Sequence, residues 1–335
     1  MRAALLFALL LCVACAPDLT TKASRVTQAR VVAVRAEPAE AKPNAQVTWT
    51  AVVVTPEGAV MDAPVDWAFC LVPRSPTDSS SISTICLGDG TVDAGLPDGG
   101  LADGGDAGPP PAPVVVPVMG TGHTQVRARI PMDACAKVGP QVPPASMDGT
   151  RQRPPDPDVT GGYYLPIRLT TTATTPDGDS TDVSFARQRL RCTLPDVPGQ
   201  TAADFAARYV NNVNPVMGDV TVAGALAPTD ATPVPVDATQ PIELVGSWTP
   251  ESIEDYVAVN PETRELDDRT ESMEMQWYTN GGAFAHDRTT ANSDLLTSTN
   301  TLTIDADHVG PVTVWIVLKD ERGGVAFRVL VLTPA

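Results

Sequence analysis

Short segments of alternating apolar and polar residues recur along this chain, parted by clusters of Pro, Gly, Asp and Thr. Residues 30–36 (RVVAVRA) are rich in Val and Ala, and a turn cluster at 37–43 (EPAEAKP) follows them. Gln46–Val54 alternates with a β-branched bias, the pattern of a half-buried strand. Thr55–Gly58 closes it as a turn, and Val65–Cys70 reads as the next strand. Val114–Val118, Thr124–Ile130, Tyr163–Ala173 and Val183–Arg191 continue the series, the last two joined across a hairpin turn at Thr175–Ser180. A second set comprises Val220–Val222, Ile242–Trp248, Met273–Tyr278, Leu302–Ile304, Val312–Leu318 and Val325–Leu332. Only residues 201–213 repeat at helix spacing, with Thr201 as a cap and Phe205, Tyr209 and Val210 on one face. At that length the segment reads as a linker turn packing between domains.

The two sets echo each other. Each has an early strand bearing Trp (Trp49, Trp248), a later one bearing Trp (Trp67, Trp277), and a terminal hairpin over an acidic turn. An inward Trp on the third strand fills the space between the sheets of immunoglobulin-type sandwiches. The pattern therefore predicts an all-β chain of two immunoglobulin-like β-sandwich domains, at 29–195 and 214–335, joined by a linker with a short helix at 196–213. Between Cys86 and Val114 periodicity vanishes: residues 87–113 are Asp, Gly and Pro with few apolar side chains. Such a stretch cannot offset its own ordering entropy and reads as a disordered insertion in the first domain. Its Asp spacings fit neither an EF-hand loop nor the nonapeptide calcium repeat. A second Pro-rich gap runs from Gly139 to Pro157.

The first fifteen residues, MRAALLFALLLCVAC, set the compartment. Arg2 followed by an apolar run to Ala14 is a secretory signal, too short to span a bilayer. Its ending, Val13-Ala14-Cys15, resembles a bacterial lipobox, although Cys12 stands where that pattern usually has Leu. The resemblance implies a signal peptide at 1–14, a lipid such as palmitate on Cys15, and a polar tether at 15–28. Ala16 and Pro17 after the cysteine resemble outer-membrane sorting. Cys70, Cys86, Cys135 and Cys192 then remain, an even number in an oxidising compartment. Of the three possible pairings, Cys70–Cys86 with Cys135–Cys192 is favoured, the short loop contributing about 3 kcal/mol.

Composition narrows the partners. With 23 Lys and Arg against 40 Asp and Glu, the formal net charge is −17, which argues against nucleic acid or anionic lipid headgroups as ligands. The 33 prolines suit short strands and rigid turns. The three histidines, His123, His286 and His308, sit in separate segments, and no zinc, phosphate-loop, dinucleotide or nucleophile-elbow motif occurs. Asp305, Asp307 and His308 read as a solvated turn. Glu251, Glu254, Asp255, Glu262, Glu265, Asp267 and Asp268 form the densest acidic stretch, read as a long loop that could, with Tyr256, Trp277, Tyr278 and Phe284, rim a ligand site.

On these strands, tryptophans and leader, the chain resembles the large group of secreted bacterial lipoproteins with immunoglobulin-like domains, common in myxobacteria-like envelopes. The resemblance implies a fold and a location, that of a lipid-anchored cell-envelope protein. With no catalytic or metal motif in the chain, the expected role is structural, adhesive or binding, with no catalytic residues, no cofactor and no metal. Its expected partners are the membrane, through the lipid, and envelope proteins or polysaccharide. An exported carbohydrate-binding or carbohydrate-active protein, and an adhesion module stiffened by calcium between its domains, are the alternatives.

Overall fold

The computed structural model describes residues 23–60, 62–72, 82–87, 115–118, 122–140, 158–175, 178–194, 197–260, 262–291 and 293–335. The signal segment, Cys15 and the insertion beyond Leu87 lie outside the described residues.

The described chain is mostly strand, arranged as two pairs of facing sheets. In the first pair, β1 (Arg30–Glu37) pairs antiparallel with β3 (Gln46–Thr55), which also carries β4 (Gly58–Val60) and β7 (Gln125–Arg129). The opposing sheet runs β2 (Glu40–Ala41), β9 (Gly178–Leu190), β8 (Tyr163–Thr175), β5 (Val65–Cys70) and β6 (Val115–Pro117), with β2 parallel to β9. Val47, Trp49 and Val53 of β3 meet Trp67 and Phe69 of β5 and Ile167 of β8 in a single core. Trp49 and Phe69 pack edge to face at 5.5 Å, a favourable ring geometry. The two buried indole N–H groups of this core are satisfied, Trp49 donating to Gln188 Oε1 at 3.0 Å and Trp67 to the His123 carbonyl at 2.9 Å.

The second pair repeats the plan. One sheet runs β11 (Ala225–Leu226), β10 (Met217–Val222), β13 (Ile242–Trp248), β19 (Thr297–Thr303) and β17 (Ala283–Phe284). The other runs β12 (Val234–Val236), β21 (Val325–Pro334), β20 (Val312–Asp320), β16 (Met273–Thr279) and β18 (Arg288–Ala291), with β12 parallel to β21. Its core holds Trp248, Trp277, Phe284, Leu302 and Ile316. The strand order of the two pairs corresponds: β1-β3-β7 matches β10-β13-β19, and β2-β9-β8-β5 matches β12-β21-β20-β16. In both, the Trp-bearing third strand (Trp67, Trp277) lies inside.

Two strands are apolar on both faces, and they are where the pairs meet. Ala51 to Val54 in β3 and Val314 to Val317 in β20 break the alternation of a half-exposed strand, so each strand covers two layers. Val52 and Val54 pack with Val32 and Ala33 against Trp315, Val317 and Val325, an apolar seam distinct from either core.

Four expectations change. Residues assigned to a polar tether are docked: Val26 is buried in the seam, its N–H donates to the Thr279 carbonyl, and Thr279 N–H returns a bond to Ser24. The helix expected at 201–213 is α2 (Gly199–Arg208), following a short α1 (Ala134–Val138). Pro198, not Thr201, precedes α2's first residue, and the helix buries no residue; the packed segment is the extended chain after it, because Tyr209 leaves the helix with ψ 127°. The acidic stretch is no loop but a hairpin, β14 (Asp255–Val259) with β15 (Leu266–Thr270), since Tyr256-Val-Ala-Val259 supplies a buried apolar run between its acidic flanks. Around the turn expected at Thr175–Ser180 the strands run on to Thr175 and Gly178, and the two residues between lie outside the described residues. The cysteines join as favoured, Cys70–Cys86 and Cys135–Cys192, with Cα separations of 5.8 and 5.7 Å.

Candidate functional site

Beside the apolar seam the two sheet pairs are closed by buried charge. Strand alternation sets Arg187 and Arg189 on one face of β9, and Arg191 follows just beyond the strand's end. The outer two guanidiniums stack on tyrosines, Arg187 over Tyr164 at 4.9 Å and Arg191 over Tyr209 at 5.1 Å. Arg189, 1% exposed, turns inward. Its Nη1 donates to Thr160 Oγ1 and Tyr164 Oη at 2.7 and 2.8 Å, its Nη2 to the Thr160 carbonyl at 2.9 Å, and its Nε lies 3.4 Å from the buried Glu40. Burial opposes its charge, but Tyr164, Tyr209 and Glu40 overcome that and hold it protonated.

In the second pair the buried guanidinium is that of Arg322, in the turn between β20 and β21. It is fully buried; Nε donates to Glu271 Oε1 at 2.5 Å, Nη2 to Glu254 Oε2 at 2.6 Å and Nη1 to the Val210 carbonyl at 3.0 Å. Its guanidinium also lies 4.5 Å from the Tyr256 ring centroid. Tyr164 Oη donates to the Arg322 carbonyl at 3.3 Å, which joins the two arginine clusters directly.

The extended segment after α2 threads between these clusters. Tyr209 Oη donates to Glu40 Oε1 at 2.5 Å, and the Asn212 N–H donates to Glu40 Oε2 at 2.9 Å. Asn212 Nδ2 reaches Asp320, and the Val213 N–H donates to Glu254. Asn214 bridges the pairs, Nδ2 donating to the Ala36 carbonyl at 2.6 Å and Oδ1 accepting from the Val325 N–H at 2.9 Å. The cluster is tight enough to demand glycine at two points: a Cβ at Gly162 would collide with the Arg189 guanidinium, and one at Gly324 with the Asp320 carboxylate and the Val213 carbonyl.

Four carboxylates, Glu40, Glu254, Glu271 and Asp320, face two guanidiniums, so the enclosure carries more negative than positive charge. Protons compensate. Burial pushes Glu271 up to about 8, helped by Asp320 and opposed by Arg322. Burial likewise raises Asp320 above the usual range, against the N–H of Gly324 and the charge of Arg322. Tyr209 is raised to about 12, first by burial. Each group's partners are other members of the cluster, so what the arrangement does is fasten the two halves together.

The residues singled out in the sequence fall elsewhere or divide. Of the acidic stretch, Glu254 alone enters the junction. Asp255 accepts from Thr270 at 2.5 Å, Asp267 lies 3.5 Å from Arg269, and Asp268 pairs with Arg208 of α2. Asp255, Asp268, Arg208 and Arg269 line a cleft of about 420 Å³ between α2 and the hairpin. The ligand rim does not assemble, because Trp277 and Phe284 belong to the second core and Tyr256 is 3% exposed with its hydroxyl on Glu321. His123 pairs with Asp62 at 3.0 Å on the surface, His286 sits by Asn300, and the His308 N–H donates its turn's bond to the Asp305 carbonyl. Asp305 meets Arg25 at 2.5 Å. Among the described residues no group of three or more His, Cys, Asp or Glu is placed to hold a metal ion. Sequence reading passed over Glu40, Arg189, Asn212, Glu271 and Arg322; the one available signal was the arginine at every second position of 187–191, too regular for a solvated strand.

No family model and no curated protein matches the chain. Among solved structures it is similar to a chain of dimeric latent PorU from Porphyromonas gingivalis, at 9% identity and a TM-score of 0.23, over 93% of this chain and 24% of that one. The chain thus spans about a quarter of that protein's length.

Proposed function

We propose that the chain is a non-catalytic cell-envelope lipoprotein in which two immunoglobulin-type sandwiches act as a single stiff unit, held at the outer membrane through a lipid on Cys15. Its work is structural or adhesive: it presents loops to an envelope protein or polysaccharide while transmitting no bend between its halves. The observation that carries the reading is the junction, where an apolar seam and two buried arginine clusters close the halves on each other. Tandem domains that merely share a linker make small polar contacts and move independently. The two disulfides support an oxidising compartment. The corresponding strand orders, each with a buried Trp on the third strand, support the immunoglobulin-type assignment.

The anchor is tested by growing cells with an alkyne-bearing palmitate analogue. Label should appear on the wild-type protein and vanish from Cys15→Ser, which still folds and is still exported. Label retained on Cys15→Ser, or absent from both, overturns the proposal.

A further inference from the structure

We propose that a cavity of about 250 Å³ at the junction binds a small organic carboxylate, clamped between Arg187 of the first sheet pair and Lys319 of the second.

The cavity opens between β1, β9 and the β20–β21 turn. Its walls are mixed, with an apolar part made by Val31, Val34, Phe185, Val325 and the Tyr164 ring. Into it face two cations and, among the described lining residues, no carboxylate. That departs from the rest of the junction, where Arg189 and Arg322 are each matched by glutamate. In a chain with 40 acidic against 23 basic residues, a recess lined by two bases and, among its described lining, no carboxylate runs against the composition. Arg187 is held by stacking on Tyr164, which leaves its N–H fork free to bind a carboxylate bidentately. Lys319 lies opposite Glu274 across the β16–β20 ladder, but that carboxylate is taken by Gln276 at 2.6 Å and Arg288 at 3.6 Å.

Two like charges held toward a low-dielectric recess repel each other. Burial lowers the Lys319 pKa below the ordinary lysine value; Glu274 opposes this, and Arg187 and Arg288 add to it. A carboxylate seated between Arg187 and Lys319 removes the repulsion and gains a charge-assisted bond to each. The Ser184 hydroxyl is already committed to Asp182 at 2.8 Å, so the two cations supply the recognition. The apolar part of the wall favours an anion with an apolar body over a fully hydrated inorganic ion, and the volume is smaller than the roughly 300–1,000 Å³ of drug-sized sites. Because one cation comes from each sheet pair, the ligand would fasten the junction from outside as the buried arginines do from within.

Calorimetric titration of the full chain with benzoate tests this, with benzamide as the neutral isostere and chloride as the inorganic control. Benzoate should bind at one site in the millimolar range or tighter, with benzamide and chloride at least about tenfold weaker. Arg187→Met and Lys319→Met should each weaken benzoate by about 10- to 100-fold, and Lys319→Arg should restore most of it. Arg187 is exposed, so its replacement leaves the fold intact even if Lys319→Met does not. Absence of saturable benzoate binding, equal binding of benzamide or chloride, or unchanged affinity in Arg187→Met would overturn the proposal.

Discussion

Arg322 has no exposed surface and three acceptors, so its charge is stable only while Glu271, Glu254 and the Val210 carbonyl stay where they are. Removing one member of such a buried set leaves the others desolvated and unpaired, at a cost of about 3–5 kcal/mol. Arg322→Met keeps the stem's volume and deletes the fork. It should lower the unfolding free energy by about that amount in urea titration, whereas Arg208→Met, at an exposed pair on α2, should change it by less than about 1 kcal/mol. Equal losses would mean that the junction contributes no more than surface charge. Residues differ in how visible such roles are beforehand. The tryptophans and cysteines were legible because size and sulfur chemistry admit few alternatives: Trp67 and Trp277 lie inside, and the two cystines pair as their spacing suggested. Arg322 was hidden, since Lys319-Asp-Glu-Arg-Gly-Gly324 has the composition of a solvated turn and its burial depends on a segment more than a hundred residues away.

Strands whose two faces differ were found close to their observed limits, Val65–Cys70 and Ile242–Trp248 among them. What periodicity cannot reveal is the partner of a strand that is apolar on both faces. Gln46–Val54 reads as half-buried from its alternation, and only the fold shows that the outer faces of Ala-Val-Val-Val in β3 and Val-Trp-Ile-Val in β20 bury each other. The β14–β15 hairpin was missed for the opposite reason, four apolar residues being outweighed by seven acidic ones around them. Element ends can also be fixed covalently. Cys135 in α1 is joined to Cys192 just beyond β9, and the short α1 buries only Ala134. Helices this short do not persist unaided, so the cystine holds α1 on the sheet edge. Closing a loop of 57 residues is worth about 4 kcal/mol on the chain-entropy account. Cys135→Ala with Cys192→Ala should therefore lower stability by about 2–4 kcal/mol in chemical denaturation and raise amide exchange in α1 first. Uniform exchange changes across both sheet pairs would contradict that local role.

For the molecule as a whole, the surplus of buried carboxylate makes the junction a place where stability depends on pH. Glu271 has a folded pKa of about 8, above the 4.5 of an ordinary glutamate, because burial and Asp320 disfavour its charge more than Arg322 favours it. The sign follows from proton counts. Below about pH 4 the folded and unfolded chains both hold this proton; between about 4.5 and 8 the folded chain holds it and the unfolded chain does not. Stability from this group is thus fully present at low pH and is lost as pH rises toward 8, with Asp320 moving in the same direction. The unfolding midpoint should fall between about pH 5.5 and pH 8, and Glu271→Gln, a neutral isostere that still accepts from Arg322, should flatten that slope. Salt separates this from surface repulsion in a chain of net charge −17, since screening at high ionic strength acts on exposed charges and little on a buried pair. The Glu271-dependent part of the slope should therefore survive in about 1 M salt, where the Debye length is only ~3 Å. A midpoint that rises over this range, or a slope that Glu271→Gln leaves untouched, would place the extra proton elsewhere and remove the junction's acid set from the balance that holds the two halves together.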